Sequence, residues 1–194
     1  PTVFRTINKL IFGIGNYQWP NSRESVGIRA LESLRSGVGW RWNRVNSLHT
    51  DFAQKADIAL AKPLSYEALH SHRAFLRVQK QFNMAPQDVL IVYPDMNLEP
   101  GEINFSAGGK GDELFLAPFQ EILGSDDFQR VAIGIGKQGL RSDIILPTAL
   151  NTNNGLLLKQ YLANCFPEEV EAMMAERTIP SVVDILRENA GITL

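Results

Sequence analysis

The chain has very little cysteine and no long apolar segment. Cys165 is the only cysteine among 194 residues, which excludes an intramolecular disulfide framework and any zinc site built from several thiolates. This scarcity suits a reducing compartment. The longest apolar runs, at residues 89–92 and 144–146, fall far below the ~18 residues that a membrane-spanning helix requires. We therefore expect a soluble protein that makes no contact with a membrane.

Histidine is also scarce, and the net charge is small. The chain has three histidines, and His70 and His72 stand at i and i+2 of a predicted helix, so they point to different faces. The Gly-x-Gly turns at Gly13 and Gly134 lack the third glycine of a dinucleotide fingerprint. We therefore expect neither a metal site nor a cofactor. The formal net charge of -2 means that any contact with RNA must use a local basic patch.

The hydrophobic pattern alternates between short apolar runs and amphipathic stretches. Strands are predicted at residues 10–14, 89–92, 102–105 and 131–135, with two more between residues 40 and 60. Helices are predicted at residues 26–34, 66–82, 115–123, 156–163 and 180–189, and after Pro167. Strands that alternate with helices indicate an α/β protein. We predict that residues 1–194 form a single domain, a three-layer sandwich around a mixed, largely parallel sheet.

Three motifs follow one another in a characteristic order. They are LIFGIGN at residues 10–16 with SRESVG at 22–27, then KPLSY at 62–66, and finally FQRVAIGIGK at 128–137, preceded by a glycine pair at 108–109. In order and spacing they resemble the peptidyl-tRNA hydrolase family of bacteria and organelles. The first is similar to that family's Gly-Asn-Pro-Gly turn and Thr-Arg-His-Asn-x-Gly helix start, and the others to its Lys-Pro and Ile-Gly-Ile-Gly segments. The resemblance implies that family's fold.

The same resemblance implies a polar active site that this chain has largely replaced. The family hydrolyses the ester between a peptide and tRNA with a histidine as general base, a carboxylate that orients it, and asparagines that hold the substrate. At the aligned positions this chain has Glu24 for the histidine, Pro94 for the carboxylate and Ala68 for one asparagine. Burial could raise the pKa of Glu24 and make it a base, whereas pairing with Arg23 would lower that pKa.

The other aligned positions offer little replacement chemistry. A second asparagine of the family falls near Ala117, Asp95 lies one residue after the family's carboxylate position, and only Asn16 is retained, as a turn residue or a substrate contact. Each of these losses would cost a working enzyme orders of magnitude in rate. We therefore expect no catalytic residue among these positions and no hydrolase activity.

Two basic segments are candidates for RNA binding. The run Trp40-Arg41-Trp42-Asn43-Arg44 combines indoles with guanidiniums, which can stack on bases and hold phosphates, although an edge strand with inward-packed tryptophans fits the same pattern. Arg73, Arg77 and Lys80 follow i, i+4 and i+7 spacing and form one positive ridge on a helix. A solvated helix face is the alternative for that ridge.

Three hypotheses for function follow. The leading one is a non-catalytic, peptidyl-tRNA hydrolase-like module that binds structured RNA, either rRNA or tRNA, or ribosomal proteins. The second is an active hydrolase with a site rebuilt around Glu24, Asp95 and Asn16, and the third is a purely structural subunit of a large assembly. The first ten residues contain Arg5 and Lys9 but no acidic residue, which favours a mitochondrial location, with the cytoplasm as the alternative.

Overall fold

A seven-stranded sheet forms the centre of the protein. The computed structural model describes residues 6–111, 113–137 and 165–193. The strand order across the sheet is β2-β3-β4-β1-β5-β7-β6. The strands are β1 (Lys9–Gly13), β2 (Asn43–Val45), β3 (Thr50–Lys55), β4 (Ile58–Pro63), β5 (Val89–Asp95), β6 (Ile103–Ser106) and β7 (Gln129–Gly134).

The four central strands run parallel, and antiparallel strands flank them. β1 pairs in parallel with β4 and β5, and β5 pairs in parallel with β7. β3 and β6 run antiparallel to their inner neighbours, and β2 runs antiparallel to β3 at the edge. Every residue of β5 is buried, as expected for a central strand that is covered on both faces. The predicted mixed, largely parallel sheet is confirmed.

Helices cover both faces of this sheet and complete the three predicted layers. On one face α1 (Val26–Gly37) packs with α5 (Ile179–Ala190) over the side chains of Ile11 and Val92. On the other face lie α2 (Ser71–Phe82) and α3 (Glu113–Leu123). A further helix, α4 (Glu168–Met173), follows Pro167 and continues through a π-helical turn, Met174–Thr178, into α5.

Three phenylalanines fasten the α2 and α3 layer to the sheet. Phe12 of β1 lies edge-on to Phe75 of α2, with ring centroids 5.3 Å apart. Phe119 of α3 completes the cluster at 4.9 Å from Phe75 and 5.8 Å from Phe12. All three side chains are almost fully buried, so they combine the burial of large apolar surfaces with favourable ring geometry.

The observed elements differ from the predicted ones in two places. Residues 40–60 contain parts of three strands rather than two, and Trp40 and Trp42 precede the edge strand β2 instead of forming it. The predicted helix at 66–82 begins at Ser71, because a 3-10 turn, Ala68–His70, precedes it. The helix predicted at 156–163 lies outside the described residues, and the single-domain assignment of residues 1–194 stays a prediction. In the described part of the chain, no helix has the length and hydropathy of a membrane span.

The first turn of α1 lies directly against the sheet at Gly27. A β-carbon added there would come within 2.4 Å of the Val92 carbonyl oxygen and 2.5 Å of that of Ile14. Gly13 makes the reciprocal approach, since a β-carbon on it would lie 2.6 Å from the Gly27 oxygen. Only glycine permits two backbones to approach so closely, which explains the glycines in the first motif.

We expect Gly27→Ala to lower the free energy of unfolding by about 1–3 kcal/mol or more, because the added methyl group must push α1 away from rigid backbone atoms. Gly37→Ala at the last residue of the same helix is the matched control, since no atom lies within 4 Å of its added β-carbon. That control should leave the free energy of unfolding unchanged or raise it by up to about 1 kcal/mol. Urea denaturation measures both, and equal effects would contradict the close-packing account.

Candidate active site

Polar side chains gather where the parallel strands end. Asn16 follows β1, Glu24 lies in a 3-10 turn, Arg23–Ser25, that leads into α1, and Asp95 is the last residue of β5. The segment around Glu67, which leads into α2, borders the same place. The carboxyl ends of parallel strands are where open α/β sheets bind ligands. The fold therefore places three residues of the predicted site at the same edge of the sheet, and it brings two of them, Asn16 and Glu24, into contact.

Glu24 is a buried carboxyl group with an unusual proton affinity. Its side chain is only 7% exposed, and burial raises its pKa to about 7. A hydrogen bond from Asn16 Nδ2 to Glu24 Oε1, at 3.3 Å, lowers the pKa and so opposes burial, while the negative charge of Glu67 raises it further. Of the two possibilities that the sequence left open for Glu24, burial and pairing with Arg23, the structure shows burial.

Arg23 does not act as the ion-pair partner that the sequence suggested for Glu24. Its guanidinium donates to the carbonyl oxygens of Cys165, at 3.3 Å, and Ile135, at 3.5 Å. It also lies over the ring of Phe166, 5.2 Å from the ring centroid. Arg23 therefore connects the turn at Arg23–Ser25 to the C-terminal segment. The pKa of Glu24 is set by burial, Asn16 and Glu67.

The side-chain amide of Asn16 uses its hydrogen-bonding capacity within the protein. Nδ2 donates to Glu24 and to the carbonyl oxygen of Tyr66. Oδ1 accepts from the backbone N–H groups of Gln18, at 3.0 Å, and Trp19, at 3.2 Å. With two donor hydrogens and two lone pairs engaged, the amide has no free capacity for a substrate. Asn16 therefore positions Glu24 and fixes the adjoining loop.

Two serines that the sequence did not indicate hold the same loop. Ser25 Oγ accepts a hydrogen bond from Asn16 N at 3.0 Å and lies 2.8 Å from the carbonyl oxygen of Trp19. Ser71, the first residue of α2, lies 3.3 Å from both the N and the O of Gly15. Serine is so common that its presence alone does not predict this role. The only sequence signal at this place is the Gly15-Asn16 turn that both serines contact.

Within the described residues, the remaining predicted positions form no hydrogen bond with Glu24. Pro94 is a strand residue of β5, and Asp95 Oδ1 accepts a hydrogen bond from Asn97 N at 2.7 Å, as in an Asx turn. Ala68 is buried in the turn before α2, and Ala117 is exposed on α3. No group of three or more His, Cys, Asp and Glu side chains suited to a metal occurs within residues 6–111, 113–137 and 165–193.

The RNA-binding candidates lie in two different surroundings. Arg73 and Arg77 line a groove beside the candidate site, and Lys80 is exposed outside it. Arg44 pairs with Asp51 at 2.9 Å and bonds the hydroxyl of Tyr17, while Arg41 is exposed. Of the predicted ridge, Arg73 and Arg77 therefore line the groove and Lys80 does not. Arg44 is held by Asp51 and Tyr17.

We expect Glu24→Gln to raise the free energy of unfolding at pH 8 by roughly 3 kcal/mol, because the neutral amide avoids burial of a charge. Glu24 binds its proton more readily when folded, so its stabilising contribution is greatest below the unfolded pKa of 4.5 and is lost as pH rises to about 7. The gain from the substitution should therefore be smaller at pH 5. Urea denaturation at both pH values tests this, with exposed Glu121→Gln as control. A gain that does not depend on pH would contradict the raised pKa.

Comparisons with known proteins agree with this architecture. The family model described as peptidyl-tRNA hydrolase matches residues 10–184. The peptidyl-tRNA hydrolase of Mycoplasmopsis agalactiae is 26% identical over 188 residues, covering 91% of this chain and 86% of that protein. The peptidyl-tRNA hydrolase of Syntrophomonas wolfei is 32% identical over 136 residues, which cover 66% of this chain and 73% of that protein. The crystal structure of peptidyl-tRNA hydrolase from Acinetobacter baumannii has the same fold, with a TM-score of 0.71, 19% identity and coverage of 97% and 96%.

These findings overturn the leading hypothesis. The prediction of a non-catalytic RNA-binding or ribosome-associated module, not an enzyme, is wrong, because the matching family and relatives are named for a hydrolase. That prediction counted Glu24 only as a lost histidine, whereas Glu24 is itself a titratable group and burial gives it a pKa of about 7. By the match of its sequence and fold over most of its length, the chain belongs to the peptidyl-tRNA hydrolase family.

Proposed function

We propose that this protein is an active peptidyl-tRNA hydrolase in which Glu24 is the general base. The observation that carries the proposal is a buried carboxyl group with a pKa of about 7 at the carboxyl ends of the parallel strands. A general base works best when its pKa lies near the pH at which the enzyme operates. A glutamate with the ordinary pKa of 4.5 would bind the proton of water far more weakly.

The proposed reaction needs only water and the ester. The Glu24 carboxylate removes a proton from a water molecule while the water oxygen attacks the ester carbonyl carbon. The tetrahedral intermediate then collapses, the bond to the ribose oxygen of the tRNA breaks, and the proton on Glu24 passes to that oxygen. The products are a free peptide carboxylic acid and a tRNA with its hydroxyl restored. Glu24 ends each cycle as the carboxylate with which it began.

Asn16 and Glu67 act on this reaction through Glu24. The amide of Asn16 holds Oε1 in one place and favours the carboxylate, and the charge of Glu67 favours the protonated acid. The charge of Glu67 acts in the same direction as burial and the hydrogen bond from Asn16 acts against it, and together the three set the pKa of Glu24. Both are positioning residues, since the proposal assigns neither a contact with the reacting atoms. Asp95 shapes the turn at the end of β5 through its bond to Asn97.

Several finer predictions belong with this proposal. The partner that it requires is tRNA, while binding to rRNA or ribosomal proteins stays a prediction. The hypothesis of a purely structural subunit is set aside with the other non-enzymatic interpretation. The mitochondrial location and its cytoplasmic alternative also stay predictions. Hydrolysis of peptidyl-tRNA by the purified protein is the experiment that tests the proposed function. Turnover no faster than the uncatalysed reaction would overturn it.

We expect Glu24→Gln to lower kcat/KM for peptidyl-tRNA by roughly 10²–10⁴-fold, because the amide preserves shape and one hydrogen bond but accepts no proton. The control is Glu121→Gln, which removes an exposed carboxylate from α3 and should leave kcat/KM unchanged. Release of labelled peptide measures both variants. Full activity in Glu24→Gln would exclude Glu24 as the base.

The acid limb of the pH–rate profile should shift in opposite directions in two variants. Glu67→Gln removes a negative charge that raises the pKa of Glu24, so the limb should move to lower pH. Asn16→Ala removes a hydrogen bond that lowers this pKa, so the limb should move to higher pH. The pH dependence of kcat/KM for each variant and wild type is the measurement. Shifts in the same direction would contradict the assignment of Glu24.

A further inference from the structure

A polar groove lies next to the candidate site. Its volume is about 650 Å³, and it runs between the loop before β3 and the first two turns of α2. His49 has a left-handed backbone conformation, with φ of 53°, at the end of that loop. The polar side chains in its wall that bear on ligand chemistry are His49, Ser65, Glu67, His70, Arg73 and Arg77.

The charge of this groove is positive, although the net charge of the whole chain is negative. Two guanidiniums, on Arg73 and Arg77, face one carboxylate, on Glu67, and that carboxylate lies 3.3 Å from Nδ1 of His70. Within the described residues, Arg73 forms no ion pair or hydrogen bond, and Arg77 donates only to the carbonyl oxygen of Ser47, at 3.3 Å. Both guanidiniums therefore have donors available for an anion.

The groove and the candidate site share a wall. Tyr66 and Glu67 line the groove, and the carbonyl oxygen of Tyr66 accepts a hydrogen bond from the Asn16 amide that holds Glu24. The carboxylate of Glu67 acts electrostatically on Glu24 from the same segment. A long ligand whose reacting bond lies at Glu24 therefore has the groove, with its two cationic side chains, on the other side of the Tyr66–Glu67 segment.

We propose that this groove binds phosphate groups of the tRNA whose ester is cleaved at Glu24. The inference rests on the proposed function and adds a binding site to it. Guanidinium groups form paired hydrogen bonds that match the oxygens of a phosphate, and the histidine rings can donate further hydrogen bonds. The peptide part of the substrate has no regular anionic backbone to match these cations. The RNA part has one phosphate per nucleotide.

The groove also explains which basic side chains matter. Arg73 and Arg77 are one helical turn apart and face the groove, whereas Lys80 continues the same sequence spacing but lies outside it. Arg44 is held by Asp51 and Tyr17, and Arg41 is exposed beside β2. The proposal therefore assigns phosphate contacts to Arg73 and Arg77 and none to Arg41 and Lys80.

The first test is the affinity for uncharged tRNA across a salt titration. The double variant Arg73→Gln/Arg77→Gln should bind about 10- to 100-fold more weakly, because it loses two charge-assisted contacts. The slope of log affinity against log salt should flatten by about 1.4 to 1.8. Arg41→Gln/Lys80→Gln removes the same charge but no side chain that lines the groove, so it should weaken binding clearly less than the first double variant. Equal losses in the two double variants would overturn the proposal.

The second test separates the groove from the chemistry. An N-acyl-aminoacyl adenosine ester contains the scissile bond but no phosphate, so wild type and the Arg73→Gln/Arg77→Gln variant should hydrolyse it equally well. With peptidyl-tRNA the same variant should show a raised KM and an unchanged kcat. An equal loss with both esters would overturn phosphate binding. Failure of wild type to cleave either ester would overturn the proposed function. The tRNA affinities of the first test would still show whether the groove binds phosphate groups.

The third test uses the three histidine rings as reporters. Addition of tRNA should shift the ring resonances of His49 and His70 and leave that of His72, whose Nδ1 lies 2.8 Å from the Leu69 carbonyl oxygen. Inorganic phosphate should produce these shifts only at far higher concentration, because it supplies one phosphate instead of several. Shifts of these histidine resonances with inorganic phosphate, and none with tRNA, would make the groove a small-anion site and overturn the proposal.

Discussion

The close contact between α1 and the sheet at Gly27 determines the environment of the site. Because the first turn of α1 lies against the backbone of β1 and β5, the preceding 3-10 turn is drawn into the space above the strand ends. Glu24 occupies that turn and is thereby removed from water. The raised pKa of its carboxyl group follows from this placement, since burial is the largest cause of the shift. A helix that stood further from the sheet would leave the same residue in water.

The burial of Glu24 lowers the stability of the folded protein at neutral pH. Within the described residues the buried Glu24 carboxylate forms no ion pair, so it weakens the folded state as the pH rises to neutrality, and the hydrogen bond from Asn16 compensates only part of that cost. The second carboxylate, on Glu67, increases the cost. Proteins keep such unfavourable groups where function needs them, and perturbed acids cluster at active sites for this reason. The rest of the fold supplies the compensating burial through two extensive apolar layers.

The sequence predicted the scaffold better than the chemistry. The all-apolar run at 89–92 and the glycines before Asn16 have local signals, and both appear in the structure as the central strand β5 and the turn after β1. The burial of Glu24 has no local signal, because its neighbours Arg23 and Ser25 are polar and fit an exposed helix start equally well. The direction of Arg23, towards Cys165 and Ile135, depends on residues more than 100 positions away. Judging Glu24 only as a lost histidine therefore led to the wrong prediction about activity.

The hydrogen bonds of Asn16 have a consequence for the energetics of proton transfer. Four partners from separate backbone and side-chain groups fix the amide, so it cannot rotate to exchange its oxygen and nitrogen. Nδ2 therefore faces Glu24 whether the carboxyl group is charged or neutral. A dipole that is already oriented towards the charge does not need to reorganise when a proton arrives or departs. In Marcus terms, the Asn16 side chain contributes little reorganisation energy when the carboxyl group of Glu24 gains or loses a proton.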